Sequence, residues 1–374
     1  MGLWFGVSAV APQIAAEWRL SESTAAWLTL AVQLGFVAGT LLSATLNLPD
    51  VIRVRHLFAL CALLGAIANV VLVAFVESVG VAIALRFVTG VMLAGVYPPG
   101  MKIIATWFKT GRGFALGVLI GALTLGKASP YLVNAFGSDH WRVNAGLMSI
   151  GAVVSSLLVL GFVKDGPYAL PNQPFDPTQI MRVFANRGVR LANFGYFGHM
   201  WELYAMWTWA PVMLRASVAA SGDSPRLAEA ASFAVIGAGA IGCVVAGLVA
   251  DRIGRAVVAA AAMAASGACC LAIGFLFGRA PLALLVVAAI WGATVVADSA
   301  QFSACVTEYA DPRYIGTALT LQTCIGFLIT TVSIRMMPLL VDRVGWEWAF
   351  VFLAPGPMLG IVAMMRLRTR ENGM

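Results

Sequence analysis

Twelve long apolar segments constrain the fold of this chain more than any other feature. A helix needs about 20 residues to cross the hydrocarbon core of a bilayer, and most of the segments reach that length. They are too long for buried strands, and backbone in hydrocarbon must satisfy its own hydrogen bonds, so we predict an all-α integral membrane protein. The segments are residues 2–16, 24–46, 57–76, 79–105, 113–136, 143–163, 191–214, 230–250, 256–277, 281–305, 315–340 and 347–365.

Composition argues against a soluble enzyme. Of the 374 residues, 60% are apolar and 11% are charged, against about 25% charged in a typical soluble domain. The formal net charge of +7 would suggest a nucleic-acid partner in a soluble chain, but in a membrane protein it reflects basic cytoplasmic loops. The six cysteines lie in apolar segments without metal-ligand spacing, so we expect small core residues, no metal and no cofactor.

The distribution of Lys and Arg predicts the orientation of the spans. Fourteen of the 24 basic residues fall in one set of loops, six fall in the other, and four lie within spans. The richer set is expected on the cytoplasmic side. An even number of spans then places both termini in the cytoplasm, and we expect a multi-pass protein of the bacterial inner membrane.

The longest break between segments divides the chain into two halves. We predict an N-terminal six-helix bundle over 1–163, a cytoplasmic linker over 164–190 and a C-terminal six-helix bundle over 191–374. Within the linker, either Asp176 or Thr178 could cap a short interfacial helix. That helix would carry apolar residues on one face and basic residues nearby, namely Ile180, Val183 and Phe184 with Arg182, Arg187 and Arg190.

Weak internal repeats support a duplication. Three pairs of similar features recur at nearly one offset, which is the pattern expected of a transporter built from two related halves. The pairs are 113–116 with 316–319, Trp141 with Trp346, and Asp50 with Asp251.

The loop after the eighth span carries a motif whose parts have clear physical uses. Gly247 permits close helix approach, and Gly254 permits a tight turn. Asp251 can accept hydrogen bonds from a neighbouring helix N-terminus or pair with arginine. Arg252 and Arg255 would lie at the inner headgroups. A generic basic turn is the alternative interpretation.

This motif resembles the signature loop of the major facilitator superfamily. The equivalent loop of the first half keeps Asp50, Arg53 and Arg55 but lacks both glycines, and the stretch from Arg86 to Gly90 resembles the family's R-x-x-x-G motif. The resemblance covers essentially the whole chain. It implies twelve helices in two pseudo-symmetric six-helix halves, and the length of the first segment indicates that the first helix is shortened at its N-terminus. Spans one, four, seven and ten would line a central cavity, which implies Trp4, Arg86, Tyr97, His199, Glu202, Trp207, Asp298 and Gln301 as candidates.

The fifth span carries small residues every four positions, at Gly113, Gly117 and Gly121, and such a stripe favours close helix packing. It partly resembles the family's antiporter motif, but the expected Gly-Pro step is Gly121-Ala122 here, so antiport is not supported. The nitrate/nitrite porters of the family carry arginines in spans two and eight. Residues 24–46 and 230–250 contain no arginine, so nitrate is not favoured as the cargo.

Ionisable residues at membrane depth are candidate functional groups, because each costs about 2.5–3.5 kcal/mol or more in hydrocarbon. Helical rise places Glu202 near the midplane, with His199 on the same face. One hypothesis is that Glu202 or His199 takes up a proton as the cavity alternates. The other is a static pair of Glu202 with a cation. The substrate or proton-pathway candidates are Arg86, Lys127, His199, Glu202, Trp207, Asp298 and Gln301.

Two further groups have less specific interpretations. Lys102 and Arg335 lie near span ends and are expected to extend towards the interface. The aromatic cluster of span seven could line a cavity for an organic substrate or serve packing, and packing is favoured because its members cannot all face one side. The cluster comprises Trp201, Tyr204, Trp207 and Trp209.

The expected function is secondary active transport of a small solute by alternating access, proton-coupled and by a monomer. Two deep cations, Arg86 and Lys127, favour an organic anion as cargo. A P-loop is absent, which argues against an ATP-driven pump. The alternatives are a transport-inactive sensor or scaffold and an intramembrane enzyme, for which the sequence shows no catalytic motif.

The first apolar segment is short for a span, since its 15 residues rise about 22 Å as a helix. We therefore expect a longer native start, and poor transport by a chain that begins at Met1.

Overall fold

The computed structural model describes residues 1–108, 111–136, 140–168 and 175–371. All regular structure in these ranges is helical. Nine stretches within them are long and apolar enough to cross a membrane. Lys109 and residues 169–174 of the predicted linker lie outside the described residues.

The helices group into two compact units. The first unit comprises Met1–Lys109 and Gly126–Pro174, and the second comprises Thr110–Leu125 and Phe175–Met374. The sequence-predicted boundaries at 163 and 191 stay a prediction. The helices up to the linker are α1 Gly2–Ala9, α2 Ala11–Trp18, α3 Glu22–Thr45, α4 Leu48–Val51, α5 Val54–Phe75, α6 Val79–Ala94, α7 Tyr97–Trp107, α8 Arg112–Ala135 and α9 Trp141–Phe162. Those that follow are α10 Ile180–Ala185, α11 Arg187–Ala220, α12 Pro225–Ile253, α13 Arg255–Ala272, α14 Pro281–Thr294, α15 Ser299–Tyr309, α16 Ile315–Ala349 and α17 Pro355–Glu371.

Small residues allow α3 and α6 to approach closely in the first unit. A Cβ at Gly90 would overlap the carbonyl oxygen of Val32, and one at Gly35 would overlap that of Phe87. A Cβ at Gly39 would lie 2.6 Å from the carbonyl oxygen of Val91 on α6. Glycine at the contact lets backbones meet without steric conflict, which is how membrane helices gain packing energy. Gly90 of the arginine motif is therefore a packing residue of this helix pair.

Four apolar segments that the sequence predicted as continuous are interrupted. The first breaks at Val10 between α1 and α2, the fourth between α6 and α7, the tenth between α14 and α15, and the twelfth between α16 and α17, where Phe350–Leu353 form a 3-10 turn. Proline lies in the first turn of both α2 and α7, where it cannot donate to the preceding turn. Gly95 and Val296 lie at the breaks of the fourth and tenth segments, 201 positions apart, as are Asp50 and Asp251.

The glycine stripe of α8 packs on α12 in the second unit. A Cβ at Gly117 would lie 2.5 Å from the carbonyl oxygen of Cys243, and one at Gly121 would lie 3.0 Å from that of Ala240. Each is closer than ordinary van der Waals contact. The predicted close-packing face is therefore present, with the eighth segment as its partner.

Helix α11 forms the centre of the second unit, and most of its residues are buried. It begins at Arg187, four residues earlier than predicted, because the side chain of Asn186 accepts hydrogen bonds from the backbone N–H groups of Gly188 and Val189. The short linker helix is also present as α10. Of the two candidate caps, Asp176 accepts a backbone hydrogen bond from Thr178, but it caps the 3-10 turn Pro177–Gln179 that leads into α10. Gln179 directly precedes α10 and caps it with no side-chain hydrogen bond.

The outer faces of the helices are strongly apolar. Ile241 of α12 is 70% exposed and Leu157 of α9 is 63% exposed. Surfaces of this kind are stable against lipid and unstable in water. Polar side chains are instead concentrated within the two units, where the candidate site lies.

Candidate functional site

Glu202 lies in the middle of α11, and its carboxylate is surrounded by neutral donors. The indole N–H of Trp291 on α14 donates to Oε1 over 2.6 Å, and the Cys270 thiol on α13 donates to the same oxygen over 3.0 Å. The Ser266 hydroxyl on α13 donates to Oε2 over 3.0 Å. Glu202 is 1% exposed. None of these partners is a cation, so the described residues hold this carboxylate by hydrogen bonds alone rather than in an ion pair.

His199, one turn before Glu202 on α11, forms a second buried cluster with Asp298, which directly precedes α15. His199 Nδ1 lies 2.8 Å from Asp298 Oδ1. His199 Nε2 lies 2.9 Å from the hydroxyl oxygen of Ser299, which begins α15. Both members of the pair are 2% exposed. An imidazole fixed between a carboxylate and a hydroxyl can hold or transfer a proton without leaving its place.

The break before α15 is what brings Asp298 to His199. Residues 295–298 form turns between α14 and α15, and Asp298 is the residue directly before α15. Gln301 lies in the first turn of α15, is fully buried, and accepts a hydrogen bond of 3.4 Å from the Arg255 guanidinium. Asp298 and Gln301, which were predicted to share a helix face, therefore lie directly before and just after the start of α15. Discontinuous helices form transporter sites in the same way.

Arg86 is a clamp between three helices of the first unit. It is fully buried. Its Nε donates to the carbonyl of Leu28 on α3 over 3.0 Å, Nη1 donates to the carbonyl of Leu3 over 2.7 Å, and Nη2 donates to that of Trp4 over 2.5 Å. A guanidinium presents its donors in a rigid fork, which suits three carbonyls in fixed positions. Carbonyl oxygens, not a carboxylate, offset this charge within the described residues.

Lys127 supplies a second buried cation in the first unit. It is 1% exposed, and its ammonium nitrogen lies 4.9 Å from the centre of the Phe5 ring. Such an arrangement is a cation–π contact. The neighbouring Trp4 ring is fully buried and packs on Phe36 of α3 at a centroid distance of 5.2 Å. Of the sequence-predicted residues, Trp4 thus lies on α1, and Arg86 and Lys127 both contact this helix.

The motif after the eighth segment lies against the start of α8. A Cβ at Gly113 would lie 2.6 Å from an oxygen of the Asp251 carboxylate, and one at Gly247 would lie 2.5 Å from the carbonyl oxygen of Gly113. Asp251 is therefore at a helix N-terminus, where a negative charge is favourable. Gly254 has φ of 96°, a conformation that favours glycine.

The basic residues around the two loops have different partners. Arg255 pairs with Glu308 of α15 over 2.6 Å, while Arg252 lies in the last turn of α12. In the first half, Arg53 directly precedes α5, and Arg55 donates to the carbonyl of Val163 over 3.3 Å. Asp50 pairs with Lys102 of α7 over 2.5 Å. The sequence analysis predicted only that Lys102 extends towards the interface, and it did not predict this ion pair.

Sequence comparison identifies the family. The family model of the Major Facilitator Superfamily matches residues 1–334 and, in a second match, residues 193–373. This chain belongs to the Major Facilitator Superfamily. Its members are transporters, so the chain is a multi-pass integral membrane protein of a transporter family and not an enzyme.

Two proteins similar to this member of the superfamily are informative. A protein named "Probable sulfoacetate transporter SauU", from Cupriavidus necator, is 26% identical over 269 residues, which are 66% of this chain and 60% of that protein. The match thus spans less than two thirds of that relative. The crystal structure of a variant of the E. coli fucose:proton symporter FucP aligns with a TM-score of 0.72 at 13% identity, over 98% of this chain and 96% of that one. At this identity the likeness shows the fold alone.

The aromatic cluster of α11 serves packing in this superfamily member, as the sequence favoured. The indole of Trp201 donates to the carbonyl of Phe352, and that of Trp209 donates to the carbonyl of Ile334. Tyr204 packs against Trp207 at a centroid distance of 5.2 Å. Its members therefore face different neighbours, and only Trp207 remains a candidate for the site.

Two shallow cavities lie away from the deep ionisable residues. One, of about 340 Å³, is lined by Glu17, Trp141 and Arg142 among others. Hydrogen bonds from Arg142, and then from Trp141, lower the pKa of Glu17. The other, of about 210 Å³, lies beside α10 and includes Asp311, whose pKa Arg313 holds at about 2 through its hydrogen bonds.

The partners of Glu202 were missed by the sequence analysis. Trp291, Cys270 and Ser266 lie in apolar segments, and nothing in their spacing distinguishes them from core residues. Gln33 of α3 was also missed, although a glutamine inside an apolar segment was a usable signal. It is fully buried, and neither of its amide atoms has a hydrogen-bond partner in the described structure.

Proposed function

We propose that this protein is a proton-coupled secondary transporter that moves a small organic anion by alternating access. One observation carries the proposal, namely the separation of buried charges between the units. In the described chain, the buried Lys and Arg are Arg86 and Lys127 of the first unit, and the buried Asp and Glu are Glu202 and Asp298 of the second. Cations suit an anionic cargo, and carboxylates suit proton carriage.

The nature of the cargo is supported by a relative. The protein whose name assigns it sulfoacetate transport is 26% identical to the matched part of this chain. Sulfoacetate carries a sulfonate and a carboxylate, and both groups accept hydrogen bonds from ammonium and amide donors. A small organic anion of this chemistry is the proposed class.

Glu202 and the His199–Asp298 pair are the proposed proton carriers. A charge buried in a transporter carries a large desolvation penalty, which protonation of a carboxylate removes. The equilibrium between cavity orientations can therefore depend on whether these groups hold protons. Hydrogen bonds from Trp291, Ser266 and Cys270 would stabilise the Glu202 carboxylate in its deprotonated state, before it takes up the proton.

The two signature loops are proposed to control opening. Asp251 lies at the start of α8, and Asp50 pairs with Lys102. A carboxylate at a helix N-terminus, or in an ion pair, stabilises the arrangement in which it forms. These contacts would break and form again in each transport cycle. The basic residues of the same loops would take part in this change, namely Arg53, Arg55, Arg252 and Arg255.

The finer architecture also belongs to the proposal. The nine apolar stretches count the region Pro312–Thr369 once, although Gly345 separates two helical segments there. That division, with α11 and the α1–α2 pair, gives the twelve spans and two six-helix halves expected from the sequence. We further propose a monomer in the bacterial inner membrane with both termini in the cytoplasm.

The test is uptake of sulfoacetate into proteoliposomes under an imposed pH gradient. The wild type is expected to be stimulated by the gradient. Glu202→Gln is expected to lose that stimulation while it still exchanges sulfoacetate across the membrane, because exchange needs no net proton movement. Glu77→Gln, at an exposed glutamate, is the control. Unchanged gradient-driven uptake by Glu202→Gln would remove Glu202 as the coupling residue, and a wild type indifferent to the gradient would reject proton coupling.

A further inference from the structure

Gln33 is an unusual residue for a membrane interior. It lies on α3, is fully buried, and has no hydrogen-bond partner for either amide atom in the described structure. Buried polar groups in native proteins nearly always form hydrogen bonds, and a buried polar group without a hydrogen bond is unfavourable. An amide that stays unpaired in the protein alone is therefore suited to a polar ligand.

Two threonines extend this polar face of α3. Thr29 and Thr40 lie four residues before and seven residues after Gln33, a spacing that places all three on one side of a helix. The Thr29 hydroxyl donates to Ser8 of α1 over 3.0 Å, so this side is turned towards α1. The hydroxyl of Thr40 is buried and has no partner in the described structure.

An aromatic pair on α1 connects this face to Lys127. Trp4 packs on Phe36, which lies one turn from Gln33 on α3. The next residue, Phe5, lies under the Lys127 ammonium. Gln33 on α3 thus lies one turn from the residue that packs on Trp4, and Lys127 on α8 lies over Phe5, the ring next to Trp4.

The chemistry of this group selects an anion. The Lys127 ammonium, the Gln33 amide and the Thr40 hydroxyl all provide N–H or O–H donors. No Asp or Glu of the first unit is buried in the described residues, so no carboxylate competes with a ligand for these donors in that interior. Each of the three Arg86 nitrogens donates to a backbone carbonyl, so this guanidinium is held by α1 and α3.

We propose that Gln33 and Lys127 form an anion-binding subsite that receives the sulfonate or carboxylate of the cargo over Trp4 and Phe5. This inference rests on the proposed function and deepens it, since it assigns the anion to residues of the first unit. Lys127 supplies the charge, and Gln33 supplies a directed hydrogen bond that distinguishes an oxyanion from an apolar group. Arg86 acts as a positioning residue, because it holds the backbone of α1 beneath the ligand.

The experiment compares ligand binding with stability for the purified, full-length protein in detergent. The probes are sulfoacetate and, as a neutral sugar, fucose, with Kd measured by titration calorimetry and Tm by thermal unfolding. Gln33→Leu is expected to keep or raise Tm, since it removes an unpaired buried amide, and to weaken sulfoacetate binding by about tenfold, the effect of one lost hydrogen bond to an anion. Lys127→Gln is expected to weaken it at least as much.

Two controls separate binding from folding. Asn69 is a buried amide that donates to the carbonyl of Ala145 and to Ser149, so Asn69→Leu should lower Tm and leave Kd unchanged in the folded protein. Lys164→Gln, at an exposed lysine, should change neither quantity.

The outcomes distinguish the subsite from the proposed function. If the wild type binds sulfoacetate and Gln33→Leu binds it with the same Kd, the subsite is wrong while the anion transporter stands. If Gln33→Leu unfolds or loses Tm as Asn69→Leu does, the amide is structural and the subsite is also wrong. If the wild type binds fucose and not sulfoacetate, the proposed cargo class fails, and the subsite fails with it.

Discussion

At the scale of single residues, Arg86 shows how a buried charge can serve structure. Three of its nitrogens donate to carbonyls on α1 and α3, so it joins α6 to both helices. The family motif placed this arginine among the substrate candidates, but its contacts in the described structure are with backbone alone. The charge is offset by dipoles in fixed positions.

Replacing Arg86 with lysine tests this role. One ammonium cannot reach three carbonyls in different directions, so Arg86→Lys is expected to lower the free energy of unfolding by about 3 kcal/mol, the value of one or two charge-assisted hydrogen bonds. Denaturant titration in mixed micelles measures it. Arg335→Lys, at an exposed arginine, should have no effect. Equal stability of both variants would show that the clamp contributes nothing.

The Glu202 cluster makes a second residue-scale prediction. Trp291→Phe removes the indole donor but keeps a ring against Phe350, which packs on Trp291 at a centroid distance of 5.1 Å. We expect a loss of about 1.5–3 kcal/mol in unfolding free energy, the value of a hydrogen bond to a charged group. Trp348→Phe is the control, because Trp348 is 54% exposed. A loss of similar size in the control would assign the effect to ring size.

Helix phase limited what the sequence could predict at the site. Helical rise predicts the depths of Glu202, His199 and Asp298 within their spans, and these depths stay predictions. The contact between His199 and Asp298 was not predicted from the sequence. The donors to Glu202 could not be found that way, because periodicity along one helix does not say which face of α13 or α14 turns towards α11. Cys270 and Ser266 are chemically ordinary until that rotation is known.

At the scale of elements, interruption and small-residue packing shape the molecule. The glycine stripe of α8 was readable because its spacing of four has one physical use in a membrane. The break before α15, which positions Asp298, was not readable, since no proline or glycine marks residues 295–298. A helix break that depends on packing against neighbouring helices has no signal in the local sequence.

The contact between α8 and α12 predicts unequal effects of one methyl group. Gly117→Ala would place a Cβ against the carbonyl of Cys243, whereas Gly151→Ala on α9 meets no atom within 4 Å. We expect Gly117→Ala to destabilise by about 1–3 kcal/mol through overpacking and Gly151→Ala to be neutral or slightly stabilising. Unfolding titrations of both variants compare them. A neutral Gly117→Ala would contradict the close contact.

At the scale of the whole molecule, the main feature is the separation of buried charge. The first unit holds the buried cations and the second holds the buried acids, within the described residues. The composition shows only a net charge of +7, which was attributed to basic residues in the loops and says nothing about buried charges. The twelve apolar segments predicted the membrane fold, but the charge separation became visible only once burial was known.

This separation predicts that two transport properties can be changed independently. Lys127→Gln should raise KM for sulfoacetate by about tenfold or more, as expected for loss of a charged contact, and keep stimulation by a pH gradient. His199→Gln should keep KM and lose the stimulation. Initial uptake rates in proteoliposomes, with and without the gradient, separate the two. Both variants changing the same parameter would contradict the division between units.

The central claim is that proton and anion move together, and it can be tested without any variant. Proteoliposomes loaded with a pH-sensitive dye are mixed with sulfoacetate in the absence of an imposed gradient, while uptake of labelled sulfoacetate is followed in parallel. The account predicts that the interior acidifies as sulfoacetate enters, and that protein-free liposomes show neither change. Entry of sulfoacetate without acidification would contradict it.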